Sequence, residues 1–421
     1  MEVKKGLCRD GKDLKWRTQT DSNRQPSESE SDALSSCAMG AYRRFRFVRL
    51  NYSTLVRISK PNAKFLACNI LVTYRYVDDI IISTTKFGLN RVGKRILPSI
   101  KAGFTFRRGG FIVRFVRAIW QRRFMDKNMQ EKLDILSKKI GNTPVVSLGD
   151  GIYGKVEGNN PAGSVKDRAA FYMVLRALEN GDLKEGGTIV EATSGNTGIG
   201  LSYVARELGL KAVMVMPESM SRQRRDMIAA YGAQLVLTSA SEGMAGAVRK
   251  AKELAENGAW LANQFGNYAS VEAHFYTTAP EIFSQVPTAK YVVAGVGSGG
   301  TAMGVKKYIE QNGIDCKMVA VEPLSSPLLT QGHAGPHKIQ GIGANFVPAI
   351  VDPSKLDQII DVADDDAIRT AGEIYRKFGI KCGISSGAAY FSARTLRKQV
   401  EGDIVVILPD NGERYPQSLY E

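Results

Sequence analysis

The sequence predicts an α/β protein with parallel strands in two domains, and three observations point to that class. Short runs rich in valine, isoleucine and alanine alternate with amphipathic helical segments from about Met129 onward. Loops rich in glycine and hydroxyl groups lie where strands give way to helices, which is where parallel sheets bind ligands. The excess of basic residues ends near residue 128, so we expect an N-terminal extension ahead of the α/β region.

The predicted strands are short, apolar, β-branched runs bounded by turn residues. They span 188–193, 211–217, 233–238, 290–297, 317–323 and 403–410. Helices are predicted between them, because apolar residues there recur every three to four positions. These helices span 196–208, 221–232, 242–257 and 301–312, and a further helix is expected from Ala389.

The charge of the chain is divided unevenly. The net charge is +15, yet residues 1–128 hold 27 Lys and Arg against 10 Asp and Glu, while residues 129–421 hold 30 against 32. The extension includes the polar stretch DSNRQPSESESDALSS and has no regular hydrophobic period. We therefore expect residues 1–128 to be poorly ordered, or not a native part of the protein, and residues 129–421 to be the functional region.

Two features of the extension leave a second function open. Arginine interleaved with aromatic residues could bind nucleic acid through phosphate contacts and stacking. The segment FLACNILVTYRYVDDIIIST is the one plausible strand pair, and its residues 76–79 resemble the paired-aspartate hairpin of reverse transcriptases. Those enzymes need further acidic residues upstream to bind two metal ions, and only Asp32 lies in the nearby upstream stretch, so a chance match is the favoured interpretation.

Cysteine and histidine usage argues against a disulfide framework and against a metal site. The five cysteines show no paired spacing: Cys8, Cys37, Cys68, Cys316 and Cys382. The three histidines are His274, His333 and His337. No apolar run has the length of a membrane span, and the first residues lack the apolar core of a secretory signal. We expect a reduced, cytoplasmic location, no membrane contact and no metal.

Three loops carry the candidate binding groups. Residues 193–198 place three hydroxyls and one amide at the start of a helix, which suits a carboxylate or a phosphate. Residues 295–301 form a glycine-rich cradle for a phosphate, and residues 383–388 place two serines before a helix. The glycine motif alone would also fit a dinucleotide, because Glu322 follows at about the distance that such sites use.

A fourth candidate is Lys166, in the stretch NPAGSVKDRAA at the predicted start of a helix. Such a lysine can hold an aldehyde as a Schiff base, with a phosphate on the same ligand bound by the glycine-rich loop and a ring nitrogen on a serine. Ser164 is expected to cap the helix, with Asp167 completing a capping-box-like pair. The helix start disfavours the ammonium form of the lysine.

Seven motifs occur in the order found in the cysteine synthase family. They are NNPAGSVKDRAA, EATSGNTGIGL, GVGSGGT, VEPLSSP, GPHKIQGIGA, GISSGAA and PDNGERY. The chain resembles that family from about Ile135 to its end. The resemblance implies a pyridoxal 5′-phosphate enzyme of the tryptophan-synthase-β fold type, with a smaller mobile subdomain at about 160–272 inserted in a larger one.

The resemblance also implies roles for individual residues. Lys166 matches the lysine that binds the cofactor and moves the substrate Cα proton. Asn196 matches the partner of the cofactor 3′ oxygen, and Ser385 matches the partner of the pyridine nitrogen. The phosphate loop matches Gly297, Ser298, Gly299, Gly300 and Thr301. The clamp for the substrate carboxylate matches Thr193, Ser194, Thr197 and Gln264.

The implied activity is O-acetylserine sulfhydrylase, which makes L-cysteine from O-acetylserine and sulfide, in a homodimer. The chain departs from the family pattern at NQFGNYAS (263–270), at Asn345 in GIGANF and at Asn411 in PDNGERY. Asn345 and residues 266–270 are expected near the entrance of the site, so the preferred leaving group and nucleophile stay open. O-phosphoserine sulfhydrylase, cystathionine β-synthase-like and cysteine lyase activities are the alternatives.

Overall fold

The structure is a computed structural model, and it describes residues 5–7, 13–15, 70–74, 80–84 and 125–421. In the N-terminal part it gives the backbone of two strand pairs. Strand β1 (Lys5–Leu7) pairs antiparallel with β2 (Asp13–Lys15), and β3 (Ile70–Tyr74) pairs antiparallel with β4 (Ile80–Thr84). The strand pair predicted in this region is therefore confirmed. Its connecting residues 75–79 and the expectation of poor order for most of residues 1–128 lie outside the described residues.

Ten further strands lie in the C-terminal part. They are β5 (Val145–Ser147), β6 (Ile152–Val156), β7 (Thr188–Ala192), β8 (Lys211–Pro217), β9 (Gln234–Thr238), β10 (Trp260–Leu261), β11 (Ala289–Gly295), β12 (Lys317–Pro323), β13 (Gln358–Val362) and β14 (Asp403–Leu408).

Helices connect most of these strands. They are α1 (Lys127–Lys139), α2 (Lys166–Asn180), α3 (Asn196–Leu208), α4 (Arg222–Ala229), α5 (Gly243–Glu256), α6 (Ala269–Ala273), α7 (Ala279–Gln285), α8 (Gly300–Asn312), α9 (Leu328–Gln331), α10 (Asp364–Phe378) and α11 (Ile384–Arg397). A π-helical turn, His274–Thr278, joins α6 to α7. Short 3-10 turns lie at Glu157–Asn159, Ala240–Glu242, Pro353–Lys355, Gly412–Arg414 and Gln417–Leu419.

The strands form two sheets. The smaller sheet has the order β10-β7-β8-β9 and is parallel throughout. The larger sheet has the order β13-β12-β11-β14-β6-β5, and its only antiparallel pair among the described strands is β5 with β6. The predicted α/β class with parallel strands is confirmed.

The larger sheet is buried on both faces, which explains why its strands are apolar runs without alternation. On β11, Val292 and Val293 are both fully buried although they point to opposite faces. Val293 packs in the cluster that includes residues of α10 and α11, whereas Val292 packs with residues of α7 and α8. Helices therefore cover both faces of this sheet, so a ligand can reach it only at the ends of its strands.

The carboxyl ends of β7, β11 and β14 lead directly into the loops that the sequence analysis singled out. Residues 193–195 link β7 to α3, and residues 296–299 link β11 to α8. Residues 409–411 follow β14, the strand at the middle of the larger sheet. Polar loops from both sheets therefore start at the edges where parallel strands present their carboxyl ends.

Candidate active site

Lys166 is the first residue of α2, and the turn before it is held against the end of β14. The backbone N–H of Val165 donates to the Pro409 carbonyl at 2.8 Å, and that of Asn411 donates to the Gly163 carbonyl at 3.1 Å. Gly163 has φ +81°, and a Cβ there would overlap the Asn411 side chain. The turn thus needs glycine, and its contacts fix where Lys166 begins the helix.

The surroundings of Lys166 favour a neutral amine. The side chain stays partly accessible, but removal from bulk water lowers the pKa of Lys166 below its usual range. The negative charge of Asp410 acts in the opposite direction and is the smaller influence. A larger fraction of the amine is therefore unprotonated than on an exposed lysine, which is what nucleophilic chemistry requires.

The expected capping box is not formed, because the N-cap residue of α2 is Val165 and no side chain of the described residues makes a cap hydrogen bond there. The backbone N–H of Lys166 does donate to Ser164 Oγ at 3.3 Å, within the turn that leads into the helix. Asp167 instead accepts from the backbone N–H of Ala162 through Oδ2 at 2.6 Å. The predicted hydrogen bond from the backbone N–H of Ser164 to Asp167 was wrong, because the tight turn places the N–H of Ala162 against this carboxylate instead. Asp167 therefore stabilises the turn before Lys166.

The loop after β7 brings together the residues predicted to bind a carboxylate. Thr193 Oγ1 accepts from the backbone N–H of Gly195 at 3.2 Å, which shapes the turn. Thr197 donates from Oγ1 to Gln264 Oε1 at 2.6 Å, so two predicted residues far apart in sequence are in contact. Ser194 lies between them in the loop and is partly accessible. Hydroxyl and amide groups therefore cluster at the start of α3.

The glycine-rich loop owes its composition to close packing. A Cβ at Gly297 would overlap the Gly341 carbonyl, and a Cβ at Gly299, where φ is +89°, would overlap Val351. A Cβ at Gly300 would lie 3.0 Å from Ser270 Oγ. The loop backbone at the start of α8 therefore packs closely against neighbouring segments. The groups that it offers to an anion are the backbone N–H groups at the helix start.

The two polar side chains of this loop, Ser298 and Thr301, are both buried. Thr301 Oγ1 lies 3.3 Å from His274 Nε2, and His274 Nδ1 lies 2.9 Å from Thr278 Oγ1. Burial, followed by the nearby charges of Arg168 and Lys166, holds the pKa of His274 well below its usual range. The imidazole is therefore neutral. No role was predicted for His274, because its place beside Thr301 depends on tertiary packing.

Ser385 is buried in the first turn of α11, which begins at Ile384. The helix was expected to begin at Ala389, so its start was placed too late. Gly383, in extended conformation, is the cap residue, and the following serines contribute first-turn N–H groups instead of loop groups. Ser385 therefore presents its hydroxyl beside a helix N-terminus.

Asp410 is a buried residue of the site that sequence analysis did not single out. It accepts from Asn196 Nδ2 at 2.8 Å and from the Tyr415 hydroxyl at 2.9 Å, both through Oδ2. Burial raises the pKa of Asp410, whereas its hydrogen-bond donors and Arg414 lower it. An acidic residue directly after a buried parallel strand was the available signal, since that is where the sheet edge lies.

The structure links the predicted residues in three groups. Lys166, Asn196 and the start of α11 meet around Asp410, Thr197 meets Gln264, and Thr301 meets His274. The charge of Lys166 also acts on His274, which lies beside the glycine-rich loop. Within the described part of the chain Ser385 makes no direct contact with Lys166, and both lie near Asp410.

The departures from the family pattern lie beside this site. Phe265, next to Gln264, meets Phe346, next to Asn345, edge to face with ring centroids 4.9 Å apart. Phe346 is 46% exposed, so the aromatic pair reaches the protein surface. Asn411 accepts from Arg414 through Oδ1 at 3.0 Å and thus supports the turn at Gly163.

The donor groups fit pyridoxal 5′-phosphate. Lys166 offers an amine of lowered pKa for an aldehyde, and the start of α8 offers backbone N–H groups for a phosphate. Ser385 offers a neutral hydroxyl for a ring nitrogen. The cradle is narrow, because Cβ atoms at Gly297 or Gly299 would overlap other residues.

Comparison with known proteins gives four informative matches. The family described as pyridoxal-phosphate dependent enzyme matches residues 136–410. A cysteine synthase of Staphylococcus aureus (strain N315) is 46% identical over 298 residues, which cover 68% of this chain and 96% of that protein. A cysteine synthase structure from Entamoeba histolytica superposes with a TM-score of 0.65 at 38% identity, covering 68% of this chain and 90% of that one. A hydrogen sulfide-producing enzyme of Fusobacterium nucleatum gives a TM-score of 0.66 at 38% identity, covering 69% and 92%.

The described residues lack two features, a membrane-spanning helix and a metal-binding cluster. None of their helices is long and apolar enough to cross a membrane. They also contain no group of three or more histidine, cysteine, aspartate or glutamate side chains that could hold a metal ion.

Proposed function

The chain belongs to the pyridoxal-phosphate dependent enzyme family, and from that premise we propose that it is a cysteine synthase acting on O-acetylserine and sulfide. The observation that carries the proposal is Lys166, an amine of lowered pKa at a helix start, whose surroundings include Asp410 after β14 and His274 beside the glycine-rich loop. The identity of 46% to a cysteine synthase, over 96% of that protein, supports the same substrates.

Four parts of the site would hold the cofactor. Lys166 binds its aldehyde carbon, residues 297–301 bind its phosphate, Asn196 donates to its 3′ oxygen and Ser385 contacts its ring nitrogen. Pyridoxal 5′-phosphate supplies an electron sink that stabilises negative charge at the substrate Cα. A neutral hydroxyl such as that of Ser385 does not hold the ring nitrogen protonated as a carboxylate would, which favours loss of a β-substituent.

Lys166 is also the base of the reaction. The free Lys166 amine would remove the substrate Cα proton, and the resulting ammonium would return it once sulfide has replaced acetate at Cβ. The overall exchange converts O-acetylserine and hydrogen sulfide to cysteine and acetic acid. The lowered pKa of Lys166 provides the neutral amine that the first proton transfer needs.

The clamp for the substrate carboxylate consists of Thr193, Ser194, Thr197 and Gln264. Thr197 and Gln264 are hydrogen-bonded to each other, so the start of α3 and the turn after β10 act as one unit. Substrate carboxylate would compete for the Thr197 hydroxyl and for the backbone N–H groups at the helix start. We propose that this pulls the smaller subdomain, about residues 160–272, toward the larger one and excludes water.

Other β-replacement and β-elimination activities are second candidates. O-phosphoserine sulfhydrylase, cystathionine β-synthase-like and cysteine lyase activities would use the same cofactor groups. We expect the Phe265–Phe346 pair and Asn345 to lie near the entrance for the β-substituent, and the two rings are in contact. The comparisons favour cysteine synthase over these activities, because the curated relative at 46% identity carries that name.

A homodimer and a cytoplasmic location remain predictions. Tyr276 is 54% exposed and stacks on Tyr172, Tyr268 is 48% exposed, and exposed aromatic residues are enriched at subunit interfaces. Cys316 and Cys382 are free and buried, which suits a reducing compartment. Light scattering on the purified protein tests the dimer.

The test of the proposed function is direct. The purified protein should show the visible absorption of bound pyridoxal 5′-phosphate, and that absorption should change on addition of O-acetylserine. Sulfide should then restore the original spectrum with release of cysteine. A protein that turns over O-phosphoserine or cysteine at least as fast as O-acetylserine would favour a second candidate. A protein without cofactor absorption after incubation with pyridoxal 5′-phosphate would contradict the proposal altogether.

A further inference from the structure

The carboxylate of Asp410 lies where three segments of the candidate site meet. It follows β14, whose position between β11 and β6 fixes it at the middle of the larger sheet. Its backbone pairs with that of Ser164, two residues before Lys166. Its side chain is buried with 3% exposure, and it contacts the starts of α3 and α11.

The contact with Asn196 determines which way the Asn196 amide is turned. A carboxylate only accepts hydrogen bonds, so the group that faces Asp410 Oδ2 at 2.8 Å must be the amide nitrogen. One N–H of Asn196 is then used, and the second N–H remains available as a donor. An amide turned the other way would present its oxygen to the carboxylate, which is repulsive.

The contact with Gly383 ties the same carboxylate to the helix of Ser385. A Cβ at Gly383 would overlap Asp410 Oδ1 and the Tyr415 hydroxyl, so the helix start lies directly against the carboxylate. Gly383 is the cap residue of α11, where backbone N–H groups carry partial positive charge. Asp410 Oδ2 thus accepts from Asn196 and Tyr415, whereas the buried Oδ1 makes no hydrogen bond with the described residues and faces the start of α11.

We propose that Asp410 is a positioning residue for the cofactor, which orients the amide of Asn196 as a donor and holds the starts of α3 and α11 at a fixed separation. The proposal rests on the proposed function, since it concerns the binding of pyridoxal 5′-phosphate. Asp410 itself acts through Asn196 and through the helix that carries Ser385.

The test replaces one acceptor by a donor at nearly constant volume. In Asp410→Asn one oxygen becomes an amide nitrogen, which would face either the donors Asn196 and Tyr415 or the positive potential at the start of α11. We expect cofactor affinity to fall about ten-fold or more, as for loss of a hydrogen bond to a charged group. The affinity is measured by titrating the cofactor-free protein with pyridoxal 5′-phosphate, and the visible absorption maximum should shift as well.

A double-mutant cycle tests whether the effect passes through Asn196. We expect Asn196→Ala to weaken binding comparably, and the double variant Asn196→Ala/Asp410→Asn to bind no worse than the weaker single variant, within about three-fold. Wild-type affinity in Asp410→Asn, or losses that multiply in the double variant, would overturn the proposal. Asp361→Asn, which makes the same change in β13, is the matched control and should bind as wild type.

Two further measurements keep the outcomes distinct. Unfolding of the cofactor-free variants in urea shows whether a loss of affinity reflects loss of fold, and if Asp410→Asn fails to fold, Asp410→Ser replaces it with the same expected loss of affinity. If the wild-type protein itself binds no pyridoxal 5′-phosphate, the proposed function fails. If wild type binds and Asp410→Asn binds equally well, only the role of Asp410 fails.

Discussion

Arg168 and Glu157 form a buried, two-pronged ion pair. Arg168 Nε donates to Glu157 Oε2 at 2.7 Å, and Nη2 donates to Oε1 at 2.8 Å, with both side chains fully buried. Glu281 extends the cluster, accepting from Arg168 and from the buried Lys155. Two positive and two negative side chains therefore neutralise one another at the first turn of α2, the helix that begins at Lys166 and contains Arg168. Burial alone would raise the pKa of Glu281, but these two cations lower it to about 2.

Removing Arg168 should destabilise the fold severely. In Arg168→Met, Glu157 keeps its charge in a buried place without its main partner, so we expect the free energy of unfolding to fall by about 3–5 kcal/mol. Urea denaturation measures the loss. Arg176→Met is the matched control, because Arg176 is 33% exposed, and it should lose about 1 kcal/mol or less. A loss in Arg168→Met no larger than in the control would contradict the importance of the cluster.

Lys166→Ala should lose essentially all turnover and retain cofactor only weakly. The lysine is both the covalent attachment point and the base, so no neighbouring side chain replaces it. Steady-state assays and the visible spectrum after gel filtration measure the two effects. Lys184→Ala, at an exposed position, should behave as wild type. Turnover near that of wild type in Lys166→Ala would exclude the proposed mechanism.

Thr301 is a sharper probe of the glycine-rich loop than any of its glycines. An aspartate at Gly300 would first meet Ser270, so its effect would mix packing with charge. Thr301→Val removes the hydroxyl that faces His274 and keeps the volume. We expect about ten-fold weaker binding of pyridoxal 5′-phosphate in Thr301→Val and near-normal binding in Thr301→Ser. Equal affinities in the two variants would show that the hydroxyl has no part in phosphate binding.

Stability should fall as the pH rises from about 4.5 to 7, in part through Glu191. Burial raises the pKa of Glu191 to about 7, above the value of 4.5 for an exposed glutamate. Between these values the folded state holds a proton that the unfolded state has lost, so the stabilisation present below pH 4.5 disappears as pH passes 7. Asp167, whose pKa burial raises to about 7, acts in the same direction.

Glu191→Gln should therefore flatten this dependence. Each such group contributes a slope of at most about 1.4 kcal/mol per pH unit. Urea denaturation of wild type and variant at pH 5, 6 and 7 gives the difference in slope. Identical slopes would show that Glu191 is already ionised in the folded protein at pH 5.

Residues 1–124 should be dispensable for catalysis. The boundary predicted at Met129 falls inside α1, which starts at Lys127, and the backbone N–H of Asp126 donates to Glu185 Oε1 at 3.0 Å. A chain that begins at Met125 should therefore match the full chain in cofactor loading and cysteine formation. A chain that begins at Ile135 lacks the buried Met129 and Leu133 and should unfold more easily. Loss of turnover in the chain that begins at Met125 would show that residues 1–124 contribute to catalysis.

Much of the fold was predictable because its signals are local. The apolar runs of β7, β8, β11, β12 and β14 and the glycine-rich turns each carry their own signature. The antiparallel edge strand β5 and the early start of α11 were missed, since an edge pairing and a helix cap depend on what lies opposite. The same holds for Asp410 and His274, whose neighbours come from distant parts of the sequence.

The position of β14 also governs the order in which the protein can be assembled during synthesis. β14 is the last strand of the chain, yet it lies between β11 and β6 in the larger sheet. The smaller sheet is complete once residue 261 has left the ribosome, whereas β5 and β6 must wait for residues 403–408 before they can join β11. Such long-range closure is slow, and it leaves apolar strands exposed in the nascent chain. Truncation of the last 20 residues would therefore leave the larger sheet split in two.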